Sequence, residues 1–317
     1  MKKLQFRKDG TFRVLTMSDL QESKSYDPRS LRSIEFLLDE CKPDLVVLGG
    51  DNCFGPEIKS EKDLIDFLDI FTAPMIKRNI PWVHVFGNHD HDVPLNLERQ
   101  QQIYESYPMC ISQHTDSTVH GKSNFMLPVY KENGEIALAI WGLDTNHEVD
   151  ELDSLINSSM REAALKTNMP RGAGPWGHLY FDQLIWYWNK SQELEKMAEK
   201  KVPGLLCMHI APYEYEIARQ NPELIRSGSY DEGLIGMPFN SGIFSLLLQR
   251  GDIKAISCGH THCNDFDASY CGIRLLWDAC VGYRCYGEDT RRGGRLFIFN
   301  ENDPENFETT MIRTLGK

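Results

Sequence analysis

The sequence lacks an excess of basic residues: 34 lysines and arginines face 46 aspartates and glutamates among 317 residues, a formal net charge of −12. Broad binding to nucleic acid or anionic lipid needs a basic face that releases counterions. The sequence also lacks an apolar stretch of membrane-spanning length, and its basic beginning, MKKLQFRKDG, is not followed by an apolar run. We therefore expect a cytoplasmic protein without a membrane partner, and nucleic acid is an unlikely ligand.

A disulfide framework is missing as well. The nine cysteines are odd in number and are scattered through predicted strands, as at Cys207 and Cys258, and helices. This distribution is typical of reduced, mostly buried thiols rather than of a secreted, disulfide-stapled protein.

The sequence contains no internal repeat, low-complexity segment or Pro/Gly/Ser-rich linker, so we predict one domain over residues 1–317. In the first half, the predicted strands FRVLTM, DLVVLGG and WVHVFG alternate with helices near Leu31–Cys41 and Asp63–Lys77. Ser60 and Asp63 form a capping-box pattern at the second helix. Short apolar strands separated by amphipathic helices indicate right-handed βαβ units and a mostly parallel sheet.

The second half continues this pattern and then departs from it. A helix near Leu97–Ser106, the helix FDQLIWYWNKSQELEKMAEK and a helix near Phe244–Gln249 separate the strands ALAIWGLD, GLLCMHI and KAISCGH. The tail segments RLLWDACVGY, RLFIFN and TTMIRTL are strands without intervening helices, which predicts a second, more antiparallel sheet packed on the first. The long irregular segment Asn146–Gly177 is predicted to build a functional loop.

Residues of the types that bind metals follow the ends of several predicted strands. They are Asp19, Asp51, Asn88, His89, His209, His260 and His262. Ligands of open α/β sheets bind at the carboxyl edge of the strands, so these side chains are expected to converge there. Two carboxylates, an amide and several imidazoles form an oxygen and nitrogen shell suited to Zn, Fe or Mn.

Each of these residues also has an ordinary structural interpretation. An aspartate after a strand can belong to a turn, Asn88 can occupy a left-handed position in a tight turn, and His209 can be a core histidine. The stretch CGHTHC can contribute half of a structural zinc site, although its spacing is not that of a zinc finger. The separate structural interpretations leave unexplained why all these residues follow strand ends.

The ordered motifs GD, GNHD, a strand-terminal histidine and GHxH resemble those of calcineurin-like metallophosphoesterases, and they extend here from Asp19 to His262. The stretches GGDNCFG, GHTHCNDF, VGYRCYG and RRGGRLFIF further resemble the branch that contains fungal cell-cycle regulatory phosphatases and plant proteins similar to purple acid phosphatases. The resemblance implies an α/β fold, a four-layer α/β/β/α sandwich of two mixed sheets.

The resemblance also implies a dinuclear metal site. Asp51 would bridge two ions; Asp19, His262 and the residue at position 21 would complete one shell. The other shell would contain Asn88, His209 and His260. The implied chemistry is in-line attack of a metal-held hydroxide on phosphorus. His89 would protonate the leaving oxygen, and Asp90 would orient His89 by accepting its other ring proton, unless Asp90 instead caps the following helix.

Substrate contacts are predicted from position along the chain. Tyr283 and Arg284 lie in VGYRCYG, and Arg284 stands where we expect a histidine in this branch of the family. Its guanidinium could clamp a phosphate oxygen or simply be a solvated charge. His91 is a candidate contact at the pocket rim. The basic stretch that contains Arg291, Arg292 and Arg295 is interpreted as a solvated turn.

Gln21 stands where a metal site of this kind would be expected to present a histidine. A carbonyl oxygen is a harder and weaker donor than an imidazole nitrogen, so we predict a weaker first metal position, with Mn or Fe favoured and Zn as an alternative. The predicted function is hydrolysis of phosphoric esters, with phosphomonoesters first and phosphodiesters or nucleotide pyrophosphates as the alternative. The substrate would be a small molecule or a phosphoprotein. A catalytically silent, phosphate-binding regulator is the alternative from another class.

Overall fold

The computed structural model describes residues 3–147, 176–232, 236–237 and 240–315. Its strands are β1 (Leu4–Gln5), β2 (Thr11–Met17), β3 (Leu45–Leu48), β4 (Trp82–His84), β5 (Phe125–Tyr130), β6 (Ile136–Leu143), β7 (Gly204–Met208), β8 (Ile225–Ser227), β9 (Ile253–Cys258), β10 (Asp267–Tyr270), β11 (Ile273–Trp277), β12 (Gly293–Asn300) and β13 (Glu308–Arg313). Its α-helices are α1 (Pro28–Cys41), α2 (Glu61–Lys77), α3 (Leu97–Glu105), α4 (Phe181–Ala198), α5 (Glu214–Gln220) and α6 (Ile243–Arg250). Most of the segment predicted to be a functional loop, residues 148–175, lies outside the described residues.

Local sequence signals set the helix starts. The Ser60 hydroxyl accepts a hydrogen bond from the Asp63 amide, as the capping-box pattern predicts. The Asp63 carboxylate accepts hydrogen bonds from the Ser60 hydroxyl and from the Lys59 amide. Helix α1 begins at Pro28, and the carboxylate of the preceding Asp27 accepts a hydrogen bond from the Arg29 amide. Proline suits this first position because its missing N–H has no intrahelical partner there.

The strands form two mixed sheets. One has five strands in the order β13-β12-β2-β3-β4, and the other has eight in the order β1-β5-β6-β7-β9-β11-β10-β8. Strands β2, β3 and β4 are mutually parallel neighbours in the first sheet, and β6, β7, β9 and β11 are parallel in the second. The carboxyl edges of two parallel blocks are therefore available to build a site.

The predicted assignment of the tail to a separate sheet is wrong. Strand β12 pairs antiparallel with β2, with Phe297 opposite Val14, and β13 extends the same sheet. Strand β11 instead joins the other sheet, in parallel with β9. Strand composition predicted these segments well, but the sheet that β12 and β13 join depends on the pairing of β12 with β2, between residues more than 250 positions apart.

The two sheets stack, and helices cover both outer faces. Residues of both sheets, including Val14 and Leu138, share one buried apolar cluster between them. Residues of α1, α2 and α3 pack on the five-stranded sheet, whereas residues of α4, α5 and α6 pack on the eight-stranded sheet. Adjacent residues of β2 face opposite layers, since Val14 lies in the central cluster and Leu15 in the outer one. The predicted α/β/β/α sandwich is confirmed.

Within the described ranges, no helix combines the length and the apolar character needed to cross a membrane.

Candidate metal centre

The polar side chains predicted from the strand ends lie at the edge where the two sheets meet. Asp19 follows β2 by two residues, Asp51 follows β3 by three, and Asn88 opens a short 3₁₀ turn after β4. From the other sheet, His209 directly follows β7, and His260 follows β9 by two residues. The carboxyl ends of parallel strands from both sheets thus supply the groups that gather at this edge.

Several of these residues adopt a left-handed backbone conformation. The φ angles are 53° at Asp19, 42° at Gln21, 49° at Asp51 and 74° at His260. Such angles are uncommon outside glycine, although aspartate, asparagine and histidine tolerate them better than most residues. Backbone strain of this kind clusters at functional sites, where the surrounding structure holds the chain in place.

The glycines of the motifs permit close packing around the carboxylates. A Cβ atom on Gly87 would lie 2.3 Å from the Asp51 amide nitrogen and from its Oδ1 atom. A Cβ atom on Gly259 would lie 1.8 Å from the Ser18 hydroxyl and 2.5 Å from Asp19 Oδ2. Glycine is therefore required in GNH and GH because the backbone passes directly against another strand end.

The donor atoms form one cluster with Asp51 near its middle. Asp51 Oδ2 lies 3.2 Å from His209 Nε2, and one donor atom from each of Asp51, His209 and His260 lies within 4.8 Å of the others. Asp19 Oδ1 lies 3.3 Å from His262 Nε2 and 3.9 Å from His209 Nε2. The predicted carboxylates and imidazoles are therefore brought together.

Many of these buried donor atoms have no hydrogen-bond partner among the described residues. They are Asp19 Oδ1, Asn88 Oδ1, His209 Nε2 and His260 Nε2. The side chains of Asp19 and His209 are fully buried, and burying unpaired polar atoms is costly. Carboxylate oxygen, amide oxygen and imidazole nitrogen are the donors that divalent metals use, so the residues fit a pair of cations.

Other hydrogen bonds hold the imidazoles in place. His209 Nδ1 lies 2.9 Å from the carbonyl oxygen of Gly49, and His262 Nδ1 lies 2.7 Å from the carbonyl oxygen of Tyr286. Each Nδ1–H donates to its carbonyl, which directs Nε2 at the aspartates and makes it the nitrogen that a cation would use.

Burial and charge decide the protonation of this cluster. Burial lowers the pKa of His209, but the Asp51 and Asp19 carboxylates outweigh that effect and raise the pKa to about 9. Burial lowers the pKa of His260 to about 3, so its imidazole is neutral at pH 7 and can act as a ligand. A bound cation would take the place of the proton on His209, because both occupy the same nitrogen lone pair.

Gln21 also lies inside the cluster. Its amide nitrogen donates a hydrogen bond of 2.9 Å to Asp51 Oδ2, and its side chain is buried. Gln21 thus contacts the carboxylate predicted to bridge the metals through its amide nitrogen, and the ligand role of its carbonyl oxygen stays a prediction.

The predicted partner of His89 is wrong. The Asp90 carboxylate is fully buried and accepts hydrogen bonds from the amides of Gly87 and Asn52 and from the Asn52 side chain. Asp92 is the residue that pairs with His89, at 2.8 Å between Oδ2 and Nδ1. The tight 3₁₀ turn over Asn88–Asp92 directs Asp90 inward and brings Asp92 alongside the imidazole.

The substrate contacts predicted at Tyr283 and Arg284 are also not placed at the cluster. The Arg284 guanidinium donates to the Ser23 hydroxyl at 2.9 Å and to the Glu57 carboxylate at 2.7 Å, and its hydrogen bond lowers the pKa of Glu57 to about 2. The Tyr283 ring packs under the Arg29 guanidinium. Arg284 is thus engaged by Ser23 and Glu57, and Tyr283 by Arg29 of α1, rather than by residues of the donor cluster.

His91 stays a predicted substrate contact. It lines a cavity of about 310 Å³ whose wall also contains Glu98, Lys122 and Asn146, and its ring stacks on His147 at 4.9 Å. Trp176 is a residue that sequence reasoning missed: its ring lies 5.9 Å from that of His89 and 5.1 Å from that of His260. A lone tryptophan at the end of a long loop gives no sequence signal of such a contact.

The amino-acid sequence is similar to a known protein family and to individual known proteins. The family model described as calcineurin-like phosphoesterase matches residues 12–264. A "Probable inactive purple acid phosphatase 14" of Arabidopsis thaliana is 27% identical over 316 residues, covering 90% of this chain and 74% of the plant protein. The phosphatase DCR2 of Saccharomyces cerevisiae is 26% identical over 291 residues, covering 83% of this chain and 46% of the yeast protein.

The fold of this chain is also similar to that of solved structures. The crystal structure of a dimetal phosphatase from Danio rerio superposes with a TM-score of 0.59 at 12% identity, covering 95% of this chain and 98% of the fish protein.

Proposed function

Since residues 12–264 match its family model, the chain belongs to the calcineurin-like phosphoesterase family, and we propose that it hydrolyses phosphoric esters at the cluster around Asp51. The observation that supports this most strongly is the set of buried donor atoms without hydrogen-bond partners in the described residues, contributed by strand ends of both sheets. A purely structural polar cluster would satisfy those atoms.

The proposed metal ligands are those that the family resemblance implies. Asp51 would bridge the ions; Asp19, Gln21 and His262 would complete one position, and Asn88, His209 and His260 the other. When bound, the cations would lower the pKa of water and offset negative charge on the phosphoryl oxygens. The weak donor at Gln21 favours Mn or Fe over Zn at the first position.

His89 would supply the leaving-group proton. Burial lowers its pKa, but the Asp51 and Asp92 carboxylates outweigh that effect and raise it above the ordinary value. The two carboxylates therefore stabilise the imidazolium, and in that form the Asp92 contact at Nδ1 leaves Nε2–H to serve the leaving oxygen. Asp92 acts as a positioning residue, whereas Asp90 secures the turn that carries His89.

Replacing Asp92 with asparagine should lower kcat about 10- to 100-fold with little change in metal content, since an imidazole loses its orienting carboxylate. Loss of that negative charge also lowers the pKa of His89, so the alkaline limb of the pH–rate profile should move to lower pH. Steady-state kinetics across pH checks both effects.

The matched control is Asp182→Asn, which breaks a second histidine–aspartate pair, with His120 at 2.6 Å, outside the donor cluster. An Asp92→Asn enzyme with the kcat and pH profile of the Asp182→Asn control would contradict the positioning role.

We propose phosphomonoesters as the substrate class, either small molecules or phosphoproteins, with phosphodiesters and nucleotide pyrophosphates as the alternative. The wall of the cavity beside His91 carries the cationic Lys122 side chain and the anionic Glu98 side chain. The net charge of −12 disfavours nucleic acid. We also propose that the chain forms one domain and is located in the cytoplasm. All nine cysteines are free thiols in the structure, which is typical of proteins in a reducing compartment.

A catalytically silent, phosphate-binding regulator is the second candidate. The hydrogen bond from Gln21 to Asp51 Oδ2 favours it, because it occupies one of the two carboxylate oxygens proposed to serve the cations. The word "inactive" in the name of the plant relative is consistent with this candidate.

A hydrolysis panel separates the two candidates. Metal-stripped protein would be reloaded with Mn, Fe, Zn or Mg and supplied with an aryl phosphomonoester, an aryl phosphodiester and a nucleotide pyrophosphate. We expect fastest turnover of the monoester with Mn or Fe. Protein that binds metal yet hydrolyses nothing under any loading would establish the regulator and contradict the enzyme.

A further inference from the structure

Two cysteines lie close together behind the proposed first metal position. The sulfur atoms of Cys280 and Cys285 and one ring nitrogen of His262 all lie within 4.8 Å of one another. The Arg292 guanidinium contacts both sulfurs, with Nη1 at 3.1 Å from Cys280 and 3.6 Å from Cys285. We propose that Cys280 and Cys285 form a reversible disulfide when the protein meets a hydroperoxide.

The surroundings of this pair differ from those of the other buried cysteines. Cys41 and Cys53 lie in the apolar cluster beneath α1 and α2, and Cys207 lies in the cluster between the sheets. Buried cysteines in apolar surroundings are chemically inert. Cys280 and Cys285 belong to none of the three apolar clusters of the described residues, and the buried guanidinium stabilises negative charge on sulfur.

The arrangement suits a two-step oxidation. The Cys285 side chain is 9% exposed, whereas Cys280 is fully buried, so the hydroperoxide meets Cys285 first. The Cys285 thiolate attacks the peroxide oxygen, the O–O bond breaks, and an alcohol or water leaves with a sulfenic acid on Cys285. The Cys280 sulfur then attacks that sulfur and releases water. The two thiols lose two electrons in total, and the peroxide gains them.

The pair is connected to the proposed metal ligands through the backbone. The Cys285 thiol donates to the carbonyl oxygen of Asp19 at 3.5 Å, and the next residue, Tyr286, supplies the carbonyl that holds His262. A disulfide requires the sulfurs to approach to about 2.05 Å, so the turn must shift. Weaker binding at the first metal position should follow, and this consequence rests on the proposed function.

Peptide mapping tests the disulfide directly. Trypsin cleaves after Arg284, so Cys280 and Cys285 fall in separate peptides, residues 275–284 and 285–291. After hydrogen peroxide treatment and alkylation, a non-reduced digest should contain these two peptides linked, and dithiothreitol should separate them. The linked species should be absent from Cys280→Ser and Cys285→Ser proteins and should persist in the matched control Cys207→Ser.

Other outcomes of the mapping would overturn the proposal. One is a digest in which both cysteines are alkylated separately after peroxide treatment. Another is oxidation of Cys285 to sulfinic acid without any link. A third is resistance to peroxide because the two thiols hold a zinc ion that Cys280→Ser releases. Circular dichroism would confirm that each serine variant is folded.

Titration with Mn²⁺ tests the connection to the metal position. Oxidised protein should bind Mn²⁺ about fivefold more weakly than reduced protein, the equivalent of roughly one lost hydrogen bond, and reductant should restore the affinity. A linked pair with unchanged affinity would refute the connection to the metal while leaving the disulfide established. Failure of the hydrolysis panel would not affect the peptide map, so the two proposals fail separately.

Discussion

Asp51→Asn should reduce kcat/KM for the best ester substrate by about 10³-fold or more, because losing one element that stabilises developing charge already costs two to three orders of magnitude. Asp51 contributes more than one element. Its carboxylate oxygens accept hydrogen bonds from the His89 amide at 2.8 Å and from Gln21, and its Oδ2 atom faces His209. An amide cannot offer one anionic oxygen to each of two cations.

Metal content and folding must be measured together with activity in this variant. Elemental analysis should show that Asp51→Asn loses bound metal, and its circular dichroism spectrum should match that of the wild type. Asp66→Asn, at a surface position on α2, is the control and should retain both activity and metal. Full turnover by purified, folded Asp51→Asn protein would refute the dinuclear site.

The second substitution with a large expected effect removes a buried carboxylate between the two sheets and lowers the stability of the fold. Asp278→Ala should lower the free energy of unfolding by about 3–5 kcal/mol, because it leaves the Arg295 guanidinium buried without its anion. The Arg295 Nε atom lies 2.7 Å from Asp278 Oδ1, and both side chains are almost completely buried. The Asp278 carboxylate also accepts hydrogen bonds from Thr16 at 2.7 Å and Ser257 at 2.6 Å.

A double-mutant cycle separates the free-energy cost of leaving one charge buried and unpaired from the cost of losing the ion pair itself. Removing both charges in Asp278→Leu combined with Arg295→Leu should cost less than the sum of the single variants, because neither partner is then left buried and unpaired. Chemical denaturation of the four proteins provides the measurement. Additive effects within about 0.5 kcal/mol would contradict a coupled pair.

Arg292 and Arg295 show where the sequence interpretation failed. Both were expected in a solvated turn, yet both are buried. Arg295 lies within β12 and reaches Asp278, and Arg292 reaches the two cysteines. A run of arginines has the same composition whether it faces water or a buried carboxylate, and only the stacking of the sheets supplies that carboxylate.

The pairing of His89 with Asp92 shows the same limit of sequence-based prediction, here between residues only three positions apart. The GNHD motif led us to predict Asp90 as the partner of His89, whereas Asp92, two residues further along, takes that place. A 3₁₀ turn directs successive side chains to different sides, so the choice depends on backbone angles rather than on residue type.

The resemblance to the phosphoesterase family implied the four-layer arrangement, and sequence patterns did not predict β1, β5, β8, β10 or α5. Sequence patterns alone determined the other strands and helices, the α/β class of the fold, and the positions at strand ends where donor residues such as Asp51 and His209 stand. These features follow from local periodicity, turn chemistry and motif spacing, which act between neighbouring residues. Tertiary structure alone decided which sheet receives the tail strands, that Glu57 binds Arg284, and that Cys280 and Cys285 meet at Arg292. Those outcomes depend on contacts between distant segments, and such contacts are set by packing and burial rather than by any short stretch of chain.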